Sequence, residues 1–318
     1  MDKKVLPAFL VFLHAFAGAY DLTGTVFSFP VPAGVPDGYS DICRTRLFAA
    51  WGVPAAETAG LDIGGEVTIT LKEKAGALLV QEVNSLVYTN ERGDYASDDV
   101  FGNFRPVVMG NIGGEKLYRS ASPVNNQNNR AAITNKLVEA AGVKSVMNLA
   151  DTEEELTSYL NADGFDSAYY KSLCDSGNVI ALGMPINFGS DEFAEGIVKG
   201  LTFLSEHEGP YLVHCTEGKD RAGFTAMLLE ALMGAELNDI VTDYMISYVN
   251  YYHLDPQSEA DKYSMIAEKN VMEMLRTVAG LESGASLEGV DLAAAAENYV
   301  LSHGMSADAL NTLKENLK

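Results

Sequence analysis

Two residues in this sequence are spaced to do covalent chemistry on a phosphate. They are Cys215 and Arg221, joined by Thr216-Glu217-Gly218-Lys219-Asp220 and preceded by His214. A thiolate is a strong nucleophile, and a guanidinium presents a planar fork that holds two phosphate oxygens at once. The intervening loop is short enough for its backbone N–H groups to turn inward around a tetrahedral anion. A helix starting where the loop ends adds positive potential at the same place. That field stabilises the thiolate of Cys215 and makes it a nucleophile near neutral pH. Arg221 and the amides from Thr216 to Arg221 then balance charge on the equatorial oxygens. Together the residues make a phosphate-cleaving site.

Such a loop has to be held by regular elements on either side. Tyr211-Leu212-Val213 is an apolar run short enough to be a central strand, and it delivers the cysteine. An apolar helix follows, with Phe224, Met227, Leu228, Ala231 and Leu232 at helical spacing and Gly234 as its stop. Upstream, Lys144 to Leu149 is a β-prone run, and Asp151 with Glu154 reads as a capping box opening a helix. Val179 to Ile186 is a second strand candidate. Ser190-Asp191-Glu192 opens a helix whose Phe193, Ile197, Leu201 and Leu204 share one face until Glu208-Gly209-Pro210 stops it. Strands separated by helices predict an α/β fold, a parallel sheet with helices on both faces. From about Asn238 to Lys318 the pattern is helical, a C-terminal extension expected to cover the pocket.

Residues 20–112 read as β-rich. Gly, Pro and Asp clusters punctuate them, and Val67, Ile69 and Leu71 alternate with polar neighbours at the period of a half-buried strand. Ala77 to Tyr88 is a further strand candidate. The expected organisation is a signal-like segment over 1–19, an accessory β-rich domain over 20–112 and a catalytic domain over 113–318.

The Cys215-x5-Arg221 pattern with His214 resembles the signature loop of the cysteine-dependent protein tyrosine phosphatase superfamily. The Gly218-Lys219-Asp220-Arg221 run is similar to that of its bacterial atypical dual-specificity branch, some of whose members also cleave phosphoinositides. Leu117-Tyr118-Arg119-Ser120, Ser145 to Leu149 with Asp151, Ile240-Val241-Thr242-Asp243-Tyr244 and Tyr299 to Ser306 lie where that branch has similar segments. The resemblance implies a phosphatase-like fold, a phosphocysteine formed on Cys215, and phosphotyrosine protein or phosphoinositide substrates. It leaves the N-terminal part unexplained.

A leaving alkoxide or phenoxide needs a proton, and two carboxylates compete to supply it. Relatives carrying Lys-Asp-Arg imply Asp220; the wider superfamily, whose acid sits on a loop after the preceding strand, implies Asp191. An acid in a helix's first turn is stabilising anyway, which already accounts for Asp191. His214 is expected to orient the loop. Thr216, Glu217, Gly218 and Lys219 line the substrate. Lys219 is either a solvated rim cation or a second phosphate-binding charge, and Glu217 stands ready to pair with it. One departure from the family is Ala222, where a Ser or Thr hydroxyl usually helps the thiolate leave.

Composition narrows the alternatives. Lys and Arg number 22 against 44 Asp and Glu, a net charge of −22, so nonspecific nucleic-acid binding is excluded. Cys43, Cys174 and Cys215 are too few for a disulfide scaffold. No His, Cys and Asp group has metal-ligand spacing, so neither metal nor cofactor is expected. Lys3, Lys4, the apolar run Val5 to Phe16 and Ala17-Gly18-Ala19 form an export signal, against the competing reading of a buried first element. Cleavage there would make the chain periplasmic or extracellular; otherwise it is cytoplasmic. No later run reaches the ~18 uninterrupted apolar residues of a membrane span. Three rivals share the loop: a secreted phytase-like inositol polyphosphate phosphatase, a phosphate-binding pseudophosphatase without turnover, and a sulfurtransferase.

Overall fold

The alternation of Val67 and Ile69 with Glu66 and Thr68 produces a strand. β1 (Phe27–Pro30) and β2 (Glu66–Ile69) pair antiparallel, with Phe27 opposite Ile69. Residues 27–30, 66–69 and 76–318 are those described by the computed structural model. The signal-like segment 1–19, Cys43 and most of the expected β-rich region lie outside them. The strand expected from Ala77 is instead a helix, α1 (Gly76–Asn84). Ala77, Leu78, Leu79, Gln81 and Glu82 are strong helix formers, and their summed preference overrides an apolar run that suits either state. The chain divides into two units, Met1–Leu86 and Val87–Lys318, so residues 87–112, read above as part of the β-rich region, belong to the second.

The second unit alternates strands and helices. α2 (Asp98–Phe101), β3 (Arg105–Pro106), β4 (Leu117–Ser120), α3 (Ala131–Ala140) and β5 (Ser145–Asn148) come first. α4 (Glu153–Leu160), α5 (Ala168–Asp175), β6 (Val179–Ala181), α6 (Asp191–Glu206), β7 (Tyr211–His214) and α7 (Arg221–Leu232) follow. The chain then stays helical through α8 (Leu237–Tyr252), α9 (Ala260–Ala267), α10 (Glu273–Val278), α11 (Leu292–Ser302) and α12 (Ala307–Asn316).

The five strands lie in the order β3-β4-β7-β5-β6, with β4, β7, β5 and β6 parallel. β3 departs from the expected all-parallel sheet by pairing antiparallel with β4, Arg105 opposite Arg119. Too few residues separate the two strands for a crossover, and only antiparallel neighbours can be joined so directly. β7 is central: His214 lies opposite Ser120 on one side and Asn148 on the other, so three strands end at one level.

Every residue of β4, β5 and β7 is buried, the signature of parallel strands covered on both faces. Tyr118, Val146 and Leu212 face one helical layer through Val138, Leu156, Tyr170 and Leu173. On the other face α6 packs on β5, where a Cβ added to Gly200 would fall 2.1 Å from Met147 Cε and force that thioether end to move. The predicted stripe Phe193, Ile197, Leu201 and Leu204 is wholly buried. α7 packs on β7 and is buried from Ala222 to Leu232, as an all-round apolar helix must be. α11 lies against α7, and α12 against α6. No helix among the described residues is long and apolar enough to cross a membrane.

The helix expected after Asp151 is capped one residue later. Thr152 Oγ1 accepts from the Glu155 amide, and the Glu155 carboxylate accepts in return from the Thr152 amide, completing the box. Asp151 is therefore not a cap. It is buried, and it accepts hydrogen bonds from Asn148 Nδ2 at 3.0 Å and Asn125 Nδ2 at 3.4 Å.

Candidate active site

β7 ends at His214 and α7 begins at Arg221, so the loop between them sits at the carboxyl ends of the parallel strands, where open α/β sheets place their ligands. Its carbonyls are turned outward into donors. Thr216 O accepts from the Ser122 amide at 3.1 Å. Glu217 O accepts from Tyr251 Oη at 2.7 Å and Asn103 Nδ2 at 3.1 Å. Gly218 O and Lys219 O accept from Arg119 Nη2 at 2.9 and 3.2 Å. Carbonyls held outward leave the amides facing inward. Among the described residues, the N–H groups of Thr216 to Asp220 have no intramolecular acceptor. A ring of free amides at a helix N-terminus is an anion receptor. Gly218 makes the turn possible: its φ is +69°, and a Cβ there would fall 2.2 Å from the Ser120 carbonyl.

Cys215 is 3% exposed at one end of this ring, and Arg221 stands at the other. Arg221 Nη1 donates to Met184 O at 2.7 Å and Nη2 to Thr216 Oγ1 at 3.3 Å. Its Nε is buried without a partner. His214 lies wholly buried behind the loop, its Nε2 2.9 Å from Tyr170 Oη and its Nδ1 3.4 Å from Cys215 O. Burial pushes its imidazole down to about 4 despite nearby Asp151, so it is neutral at pH 7 and touches the loop through a hydrogen bond rather than a charge.

The two candidate acids are in different surroundings. Asp220 ends the loop, and burial raises its carboxyl above the ordinary value while Lys219 pulls the other way. Asp191 is in the first turn of α6 after Ser190, whose Oγ caps the Phe193 amide at 3.2 Å. The Asp191 side chain is 95% exposed and lies 4.0 Å from His303 Nε2. It lines a cleft with Asp291 before α11, Tyr299 on it and His303 after it, and no residue from Cys215 to Arg221 lines that cleft.

Lys219 is not a solvated rim cation. It is 9% exposed; Nζ lies 2.9 Å from Glu217 Oε2 and donates to Tyr252 Oη at 3.1 Å. Glu217 Oε1 accepts from Tyr88 Oη at 2.5 Å. Cys174 is half-buried on α5, where burial pushes its thiol up to about 11, which suits an inert residue.

Several residues that hold the site had no role assigned from sequence. Arg119 braces the loop from behind while its Nη1 pairs with Asp243 Oδ2 at 2.7 Å. Arg105 Nε reaches the other Asp243 oxygen at 2.9 Å. Asn103 links Arg105, Ser247 and Glu217 O. Burial pushes Asp243 upward, but Arg105 and Arg119 outweigh it and hold the carboxyl below its usual range. Arg119 and Asp243 lie inside two of the segments that resemble the phosphatase branch. The only available signal was charged residues in otherwise apolar runs. C-terminal α8 borders the pocket through Tyr248, Tyr251 and Tyr252, an arrangement the extension's helical pattern alone did not show. Among the described residues no group of three His, Cys, Asp or Glu is placed to hold a metal.

Residues 102–318 match the tyrosine phosphatase family. A protein of Cupriavidus necator, provisionally named a tyrosine-protein phosphatase, is 32% identical over 90 residues, which cover 28% of this chain and 33% of that protein. The chain thus spans about a third of the length of that curated relative.

Proposed function

This chain belongs to the tyrosine phosphatase family, and from that premise we propose that it hydrolyses phosphomonoesters, phosphotyrosine protein foremost, through a phosphocysteine. The observation that carries this reading is the loop itself: Cys215 and Arg221 flank inward-facing free amides whose carbonyls are all held outward. Cys215 Sγ attacks phosphorus as the thiolate, and the bond from phosphorus to the ester oxygen breaks. Asp220 gives its proton to that oxygen. Water then attacks the phosphocysteine, Asp220 takes the water's proton, and phosphate leaves as the thiolate is restored. Arg221 and the amides hold the equatorial oxygens throughout. The Gly218-Lys219-Asp220-Arg221 ending supports placing the chain in the atypical dual-specificity branch, with phosphoinositides as a second substrate class. Export is proposed on the sequence of residues 1–19 alone.

The test is phosphate release from a panel holding a phosphotyrosine peptide, a phosphoserine peptide, phosphatidylinositol monophosphates and inositol hexakisphosphate. Turnover that depends on Cys215 is expected on the first. Ester binding without turnover on any would make the chain a pseudophosphatase.

Asp220→Asn assigns the acid. A general acid works protonated, so kcat/KM falls as pH rises through its folded pKa, and the upward shift at Asp220 carries that limb to higher pH. The variant is expected to lose the limb and to lower kcat by about 10²- to 10⁴-fold on a phenyl ester with a poor leaving group. Asp191→Asn should leave the limb in place; the reverse pattern in the two pH profiles would transfer the role.

Breakdown of the phosphocysteine is expected to be slow. Ala222 is buried and has no hydroxyl, and Thr225 Oγ1 donates to Arg221 O at 3.0 Å, bound away from the thiol. Thr216 Oγ1 stays near Arg221. Rapid-quench kinetics should show a burst of leaving group before steady turnover, and Ala222→Ser should shrink it. Equal rates of both steps would remove the role given to Ala222.

A further inference from the structure

Two cations belong to the loop, and only one of them is free. The hydrogen bonds of Arg221 go to the neutral Met184 carbonyl and Thr216 hydroxyl. Lys219 is engaged from every side. Its Nζ is 2.9 Å from Glu217 Oε2, 3.1 Å from Tyr252 Oη and 4.0 Å from Asp220 Oδ2. It also lies 5.5 and 5.4 Å from the ring centres of Tyr248 and Tyr252. Glu217 is fixed in turn, with Tyr88 on its second oxygen and Tyr251 and Asn103 on its carbonyl. The chain Tyr88–Glu217–Lys219–Tyr252 thus spends the second positive charge inside the protein.

We propose that Glu217 is the specificity-determining residue of this loop: by holding Lys219 it makes the site a receptor for one isolated phosphomonoester, as on phosphotyrosine, and turns away polyphosphorylated inositols. A second phosphate beside the first would meet the Glu217 carboxylate rather than an open ammonium. The charges persist: although burial acts against each, Lys219 holds the Glu217 carboxyl below its ordinary value, and Asp220 and Glu217 hold the Lys219 ammonium above its own. The aromatic edge made by half-buried Tyr88 and Tyr252, backed by buried Tyr251, suits a phenyl ester better than a polyhydroxylated ring.

This inference rests on the phosphatase reading, and the test separates the two. In the full chain, the ratio of kcat/KM for inositol hexakisphosphate to that for a phosphotyrosine peptide is measured in wild type, Glu217→Gln and Glu217→Gln with Lys219→Met. The ratio is expected to rise about tenfold in the single variant, through KM for the polyanion, and to fall back in the double variant. An unchanged ratio overturns the proposal, as does a rise that survives loss of Lys219. If no Cys215-dependent turnover is seen, the phosphatase reading fails. Calorimetric binding of inositol hexakisphosphate to Cys215→Ser, with and without Glu217→Gln, then decides the role of Glu217 alone. Tightening of about tenfold supports it, and equal affinity overturns it. The native Glu217–Lys219 pair is tested as well: in Cys215→Ser, with Glu217 and Lys219 unchanged, inositol hexakisphosphate should compete with a phosphotyrosine peptide within about threefold of inorganic phosphate, and competition two orders of magnitude stronger overturns the proposal.

Discussion

Cys215→Ser is expected to lower kcat on a phosphotyrosine peptide by about 10⁴-fold or more, with peptide binding retained. A serine hydroxyl is un-ionised at neutral pH and is a far poorer nucleophile than a thiolate, and no neighbouring base replaces the lost reactivity. His214 precedes Cys215 in the chain, but it lies behind the loop with Nε2 on Tyr170 and Nδ1 toward the Cys215 carbonyl. The receptor should survive, because the loop is shaped by main-chain bonds to Arg119, Tyr251, Asn103 and Ser122, none of which involves the Cys215 side chain. The measurement is phosphate release beside equilibrium binding of the same peptide. Turnover within tenfold of wild type would place the nucleophile elsewhere.

The largest expected effect on stability lies behind the loop. Asp243 is the common anion for two buried arginines: it accepts from Arg105 Nε at 2.9 Å and Arg119 Nη1 at 2.7 Å. Asp243→Ala would leave both guanidinium groups without that partner in a site closed to water. Removing one member of a buried ion pair costs about 3–5 kcal/mol, which lowers the melting temperature of a unit this size by roughly 10 °C. Glu230 is the group able to soften the loss. Burial pushes its carboxyl well above the usual range, with Asp243 adding to the shift, and its oxygens have no hydrogen-bond partner. Once Asp243 is gone, Glu230 can ionise toward the arginines, so Glu230→Gln on top of Asp243→Ala should cost more than the two changes separately. Because Arg119 also holds the Gly218 and Lys219 carbonyls, activity should fall at temperatures where the protein is still folded. Thermal unfolding followed by circular dichroism checks the first effect. A shift under about 3 °C would show that the arginines find other partners.

What the sequence determined by itself was everything carried by local pattern. The stripe of α6, the apolar helix α7, the short central β7 and the Cys215-to-Arg221 spacing are each encoded within some sixteen residues, where periodicity and loop length leave few alternatives. Local pattern failed where two states compete at short range. Ala77 to Asn84 is apolar enough for a strand, but its residue types favour a helix, and the box after Asp151 belongs to Thr152. Tertiary structure alone decided what surrounds the chemistry. Arg119 and Asp243 are 124 positions apart, and Tyr88 lies 129 positions from Glu217. Nothing in their own neighbourhoods marks them as partners, because a buried charge is tolerated only where the fold brings its counter-ion, and that is a property of the sheet order. The same holds for Lys219: its residue type offered a second phosphate-binding cation, and only the packing of α8 and Tyr88 against the loop turned it into the neutralised half of a pair.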